Sequence, residues 1–136
     1  MAKIGPVLLD IQKVPNNLAA DVEVIYTVTF DESDVSTNRR YDEVVELIGA
    51  DDGPLNTRDE LIRFGTGRLP FHRGTISADG DASMEVKHEA RKSRSDFNED
   101  KPGRDQIRAR VTLKSGTLQV VRESNLVIDD FNPAHA

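Results

Sequence analysis

The chain of 136 residues contains no cysteine and no tryptophan. Without cysteine there is no disulfide framework, no thiolate metal site and no sulfur nucleophile. Aromatic residues make up only 5% of the total, five Phe and two Tyr, so the core must come mainly from Val, Ile and Leu. A stacking platform for bases or sugars is correspondingly disfavoured. Long apolar runs are missing as well. The opening MAKIGPVLLD offers only PVLL before Asp10, far short of the apolar region of a secretory signal, and no stretch approaches the ~18 apolar residues of a membrane-spanning helix. A cytoplasmic protein is the expectation, with a virion or an extracellular assembly reached without a cleaved signal as the alternative. Positive charge is in deficit: 18 Lys and Arg against 24 Asp and Glu leave a net charge of -6. Such a balance keeps a small domain soluble and repels phosphate backbones at long range, so no nucleic acid partner is expected.

What the sequence has in quantity is apolar/polar alternation of period two, the mark of a half-buried strand. In DVEVIYTVTF, residues 21–30, Val22, Val24, Tyr26, Val28 and Phe30 oppose Asp21, Glu23, Thr27 and Thr29, a length that fits a central strand. In IRARVTLKSGTLQVV, residues 107–121, Ile107, Ala109, Val111 and Leu113 oppose Arg108, Arg110, Thr112 and Lys114 before Ser115-Gly116 turns the chain. That pattern predicts a hairpin. Shorter alternations predict strands at 6–14, 39–49, with Tyr41, Val45 and Leu47 on one face, and 82–90. Leu61, Ile62 and Phe64 read as an edge strand among Gly and Pro, with a helical turn as the other reading. Residues 31–38 read as a polar loop, 50–60 as turns, and 91–104 as a charged, mobile loop holding Phe97 alone. Leu118, Val120, Leu126 and Ile128 share parity across an interruption at Arg122 to Asn125, which points to a kink or a bulge.

Seven strand candidates separated by turn signals predict the all-β class, as an antiparallel two-sheet β-sandwich. One domain spans 1–136, with its core at 6–131 and a tail at 132–136. Strand count and spacing over 6–131 resemble immunoglobulin-like and fibronectin type III domains, although the Cys, Trp and Cys of the true immunoglobulin core are absent. The resemblance implies a fold and no particular activity.

Successive loops of such a sandwich alternate between its two ends. One end then gathers Asp51, Asp52, Asp96, Asp100, Asp129 and Asp130, and the other Asp31, Asp34, Asp79 and Asp81. Calcium takes about six to eight hard oxygen ligands, so Asp51, Asp52, Asp129 and Asp130 are the candidate metal ligands. Against this, the spacing matches no calcium loop, and Asp in turns commonly bonds its own backbone. The imidazoles are His72, His88 and His135. His88 is in phase with Met84 and Val86 and reads as a core or sheet-face histidine bonded to a neighbour, while His72 lies in a Gly-rich loop and His135 in the tail. No H-x-x-x-H pair, G-x-S-x-G elbow or phosphate-cradling glycine loop occurs, so no catalytic residue and no cofactor is assigned.

Arginine is the charged residue favoured at interfaces, which makes Arg108 and Arg110, with Arg91, Arg94 and Phe97 from the charged loop, the expected interaction surface. The matching partner is a protein with an acidic patch, or a second copy of the chain. The leading expectation is therefore a non-catalytic interaction or structural module, an accessory subunit of a larger assembly, by analogy of virion or contractile-injection type. A Ca2+-dependent C2-like module for membrane or carbohydrate is the alternative. A small ligand-binding or hydrolytic sandwich is the third reading.

Overall fold

The computed structural model describes residues 1–50, 59–97 and 105–132. Its strands are β1 (Lys3–Ile4), β2 (Leu8–Lys13), β3 (Ala19–Thr29), β4 (Arg40–Ala50), β5 (Asp59–Ile62), β6 (His72–Ser77), β7 (Ser83–Ser93), β8 (Asp105–Ser115), β9 (Leu118–Glu123) and β10 (Val127–Asp129). All strand pairs are antiparallel. In sheet A, β3 is central, with β7 on one side and β1 and β2 sharing the other. In sheet B, β4 and β8 pair at the centre, β5 and β6 line the free side of β4, and β9 and β10 line the free side of β8. The two sheets pack face to face as an all-β sandwich.

The core sits where the alternation places it. Val22, Val24, Tyr26 and Val28 of β3 meet Tyr41, Val45 and Leu47 of β4 and Ile107, Ala109, Val111 and Leu113 of β8, and all are buried. Each aliphatic side chain fully withdrawn from water contributes about 1.5–3 kcal/mol, which is why the longest period-two runs become the central strands. The predicted hairpin forms, with Gly116 at φ 59 in the turn between β8 and β9, a left-handed conformation that glycine adopts without Cβ strain.

Several local expectations are corrected. Residues 31–38 hold a short helix, α1 (Glu32–Thr37), rather than an irregular loop. Asp31 caps it: its Oδ1 accepts the Asp34 N–H at 2.8 Å, while Asp34 Oδ2 accepts the Asp31 N–H at 3.1 Å. The region around 72 supplies strand β6, which the Gly-rich sequence had hidden. Asp59–Ile62 is strand, as the edge-strand reading of Leu61 and Ile62 expects, and Phe64 follows in an isolated bridge to Leu69.

The last strand does contain a bulge. Glu123 pairs with Arg110 and Val127 with Ile107, so four steps on the C-terminal strand run beside three on β8. One extra residue reverses the parity beyond it. Leu118 and Val120 therefore face the interior, whereas Leu126 and Ile128 are exposed and Val127 turns inward. The expected sharing of one face by all four ends at that point.

The bulge also joins the sheets along one side. Val7 bridges Ser124 in parallel, and the Asn125 side chain acts as a strand residue toward β2, its Oδ1 accepting Leu9 N–H at 2.9 Å and its Nδ2 donating to Leu9 O at 3.0 Å. Arg122 Nη1 adds a bond to Ile4 O at 2.9 Å. The opposite side, between β6 of sheet B and β7 of sheet A, has no such stitching among the described residues.

Candidate functional site

Because one face of each sheet points inward, a polar residue in inward phase is forced into the interior. Strand β4 carries two, Tyr41 and Glu43. Tyr41 O–H donates to Asp34 Oδ1 at 2.7 Å and accepts Ala2 N–H at 2.9 Å. Arg39 Nε lies 3.1 Å from the same carboxylate oxygen, an ion-pair distance without hydrogen-bond alignment. Burial, then the bond to Asp34, raise the Tyr41 phenol above its ordinary pKa of 10.0.

Glu43 is only 1% exposed and meets a different environment. His72, from β6 beside it, places Nε2 3.2 Å from Glu43 Oε1; His88, from β7 of the facing sheet, places Nε2 3.1 Å from Glu43 Oε2. The two imidazoles stack with centroids 3.7 Å apart and planes 21° off parallel. His88 is 19% exposed and His72 35%, so the cluster opens to solvent through the seam between β6 and β7. Burial, then the neighbouring His88 ring, hold the His72 pKa below its ordinary 6.5 against the opposing pull of Glu43. One carboxylate oxygen and one nitrogen from each ring lie within 4.8 Å of one another. Such a set can bind a cation or hold a proton between the two sheets.

The expected interaction residues do not form one surface. Arg108 and Arg110 lie on the outer face of sheet B, where Glu123 Oε2 accepts from Arg108 Nε at 2.9 Å and from Arg110 Nη2 at 3.4 Å. Arg91 lies on the outer face of sheet A and grips Asp21 with two bonds of 2.7 and 3.2 Å, which hold the Asp21 carboxyl below its usual pKa. Two assignments are overturned. Phe97 is fully buried, packing 5.9 Å from Phe64 and 5.3 Å from Phe131 in an aromatic cluster at one end of the sandwich. Arg94 is 4% exposed, its N–H donating to Leu18 O at 2.8 Å and its Nη2 to Val14 O at 3.4 Å. Residues 91–93 complete β7 and Arg94–Asp96 form a 3-10 turn, so this part of the expected loop is an ordered wall that holds both side chains inside.

The outer face of sheet B is nonetheless basic. Arg40, Arg63, Arg73, Arg108, Arg110 and Lys114 outnumber Asp42, Glu46 and Glu123 there. Among the described residues Arg40, Arg73 and Lys114 enter no ion pair. On the outer face of sheet A, acidic Asp10, Asp21, Glu23, Glu85 and Glu89 outnumber Lys3, Lys87 and Arg91. Strand parity carries the information, but only the register shows which basic side chains become neighbours.

Of the expected calcium ligands, Asp51 and Asp52 lie outside the described residues. Asp129 Oδ1 lies 3.1 Å from Lys13 Nζ and accepts Asp130 N–H at 2.7 Å, and Asp130 Oδ1 accepts Asn132 N–H at 3.0 Å. No helix among the described residues is long and apolar enough to cross a membrane. Comparison with known proteins finds no family model, no curated protein and no solved structure that the chain matches.

Proposed function

We propose that the protein is a non-catalytic interaction module, an immunoglobulin-like sandwich serving as an accessory subunit of a larger assembly, and that it docks an acidic protein surface on the outer face of sheet B. The observation that carries this reading is the segregation of charge: a chain of net charge -6 keeps one broad face rich in Arg and Lys. Like charges crowded on one sheet cost folding stability through self-repulsion and favour association with a complementary surface. The acidic outer face of sheet A in a second copy has the required sign.

Sedimentation velocity tests this, with polyglutamate as the acidic probe, at about 20 mM and about 500 mM salt, where screening lengths differ several-fold. Binding at low salt is expected to be lost at high salt. Arg73→Glu with Lys114→Glu should weaken it more than ~10-fold without lowering the melting temperature. Binding that ignores both the salt and the charge reversal, or no binding at all, overturns the reading. The same reading expects the melting temperature to stay unmoved by millimolar Ca2+, whereas a calcium-dependent module would be stabilised.

A further inference from the structure

Glu43 is a buried carboxylate, and a buried charge requires a compensating partner: a cation, a ring of donors or a metal. No Lys or Arg among the described residues pairs with it. Two imidazoles from opposite sheets meet it instead. We infer that Glu43, His72 and His88 form a binding site for one divalent transition-metal cation, Zn2+ foremost, at the seam between β6 and β7.

The donor chemistry selects the ion class. Two imidazole nitrogens with one carboxylate oxygen suit zinc and its first-row neighbours, while calcium and magnesium favour all-oxygen shells. The spacing is near what an ion needs. Bonds of about 2.0–2.1 Å in a tetrahedral shell place ligand atoms about 3.3 Å apart, and one carboxylate oxygen with one nitrogen from each ring already lie within 4.8 Å of one another, so a modest ring movement closes the set. Three protein donors leave one tetrahedral position for water or another ligand, on the side open to solvent.

Without a cation, both rings can donate an Nε2 proton to the carboxylate. Metal binding moves those protons to Nδ1 and frees both Nε2 lone pairs, with no net change in charge on the rings. The stacked planes point the lone pairs side by side, so one ring must swing for both to reach one ion. His72 is the ring with room, since it stands on an edge strand and faces Gly74, where a Cβ would lie 3.1 Å from His72 Nε2.

The site is independent of the basic face, and its test does not involve a partner. Isothermal titration of the chelator-stripped full chain with Zn2+ is expected to give one ion per chain. Zn2+ at a hundredfold excess over its Kd should raise the melting temperature by roughly 8–12 °C. Co2+ should develop the visible absorption of a tetrahedral nitrogen-oxygen shell. His72→Ala removes a partly exposed edge side chain and should fold normally, yet weaken Zn2+ by more than ~10-fold, as should Glu43→Gln. Polyglutamate binding by His72→Ala should match the unmodified chain, so this inference and the proposed docking face fail separately. No saturable Zn2+ binding, or binding unchanged in His72→Ala, would reduce the cluster to a hydrogen bond network and overturn the inference.

Discussion

Tyr41 and Glu43 stand two positions apart on β4, both aimed into the sandwich, and the fold treats them in opposite ways. Around Tyr41 everything is supplied by neighbouring elements: Asp34 from α1 accepts its proton, Ala2 donates to its oxygen, and Arg39 balances the charge. Around Glu43 the neighbours are two imidazoles, groups whose protons can leave and whose lone pairs can be offered elsewhere. The first cluster is closed and structural. The second is open toward solvent at the lateral seam between β6 and β7, where among the described residues side chains alone, His72 and His88 among them, join the two strands. A buried polar residue thus signals function less by its burial than by whether its partners hold fixed charges or exchangeable ones.

Substitutions can break or sharpen this contrast. Asp34→Ala should cost the most, about 3 kcal/mol in urea unfolding, because it removes a helix capping box and strands the buried Tyr41 hydroxyl. Tyr41→Phe should cost about 1–2 kcal/mol near neutral pH. It should also flatten the alkaline limb of the stability profile. The folded phenol titrates above 10.0, so its contribution is whole below that pH and is lost as pH climbs toward the folded value. An unaltered alkaline limb in Tyr41→Phe would show that the closed network does not hold the proton.

Glu43→Gln should change stability in chelator by no more than about 1 kcal/mol, since an amide can still bond both rings, yet cut the zinc-induced rise in melting temperature by about half or more. A large loss in chelator would make the two clusters alike. Gly74→Ala should be the mildest, within about 0.5 kcal/mol, because the lower backbone entropy of the unfolded chain offsets the tight contact with a movable ring. Its effect should appear in zinc affinity, read by titration, as a loss of several-fold.

Much of the framework was legible in the sequence because it depends on parity alone. Strands β3, β4 and β8 follow directly from alternating side chains, and the bulge was foreshadowed by the interruption at Arg122 to Asn125. Glu43 shares the phase of Tyr41, Val45 and Leu47, so its burial was readable as the one carboxylate in the inward phase of β4. Its partners were not. His72 sits among glycines that mask β6, and His88 reaches Glu43 from the other sheet, a contact set by how the layers stack. Phe97 misled for a related reason: a lone aromatic in a charged stretch looks exposed until Phe64, itself packed on Phe71, and Phe131 converge on it from distant segments. Arg94 was hidden likewise, since only the approach of the turn at Val14 and Leu18 brings carbonyls to its backbone N–H and to Nη2.

The Asn125 side chain, by occupying both main-chain groups of Leu9, has a bearing on what the molecule can grow into. It denies a foreign peptide a free rung on that flank, so ladder-style polymerisation there must first dislodge an amide locked from both ends. The opposite edge of that sheet is β7, the strand that carries His88, so a strand added to sheet A there would lie beside the Glu43 cluster.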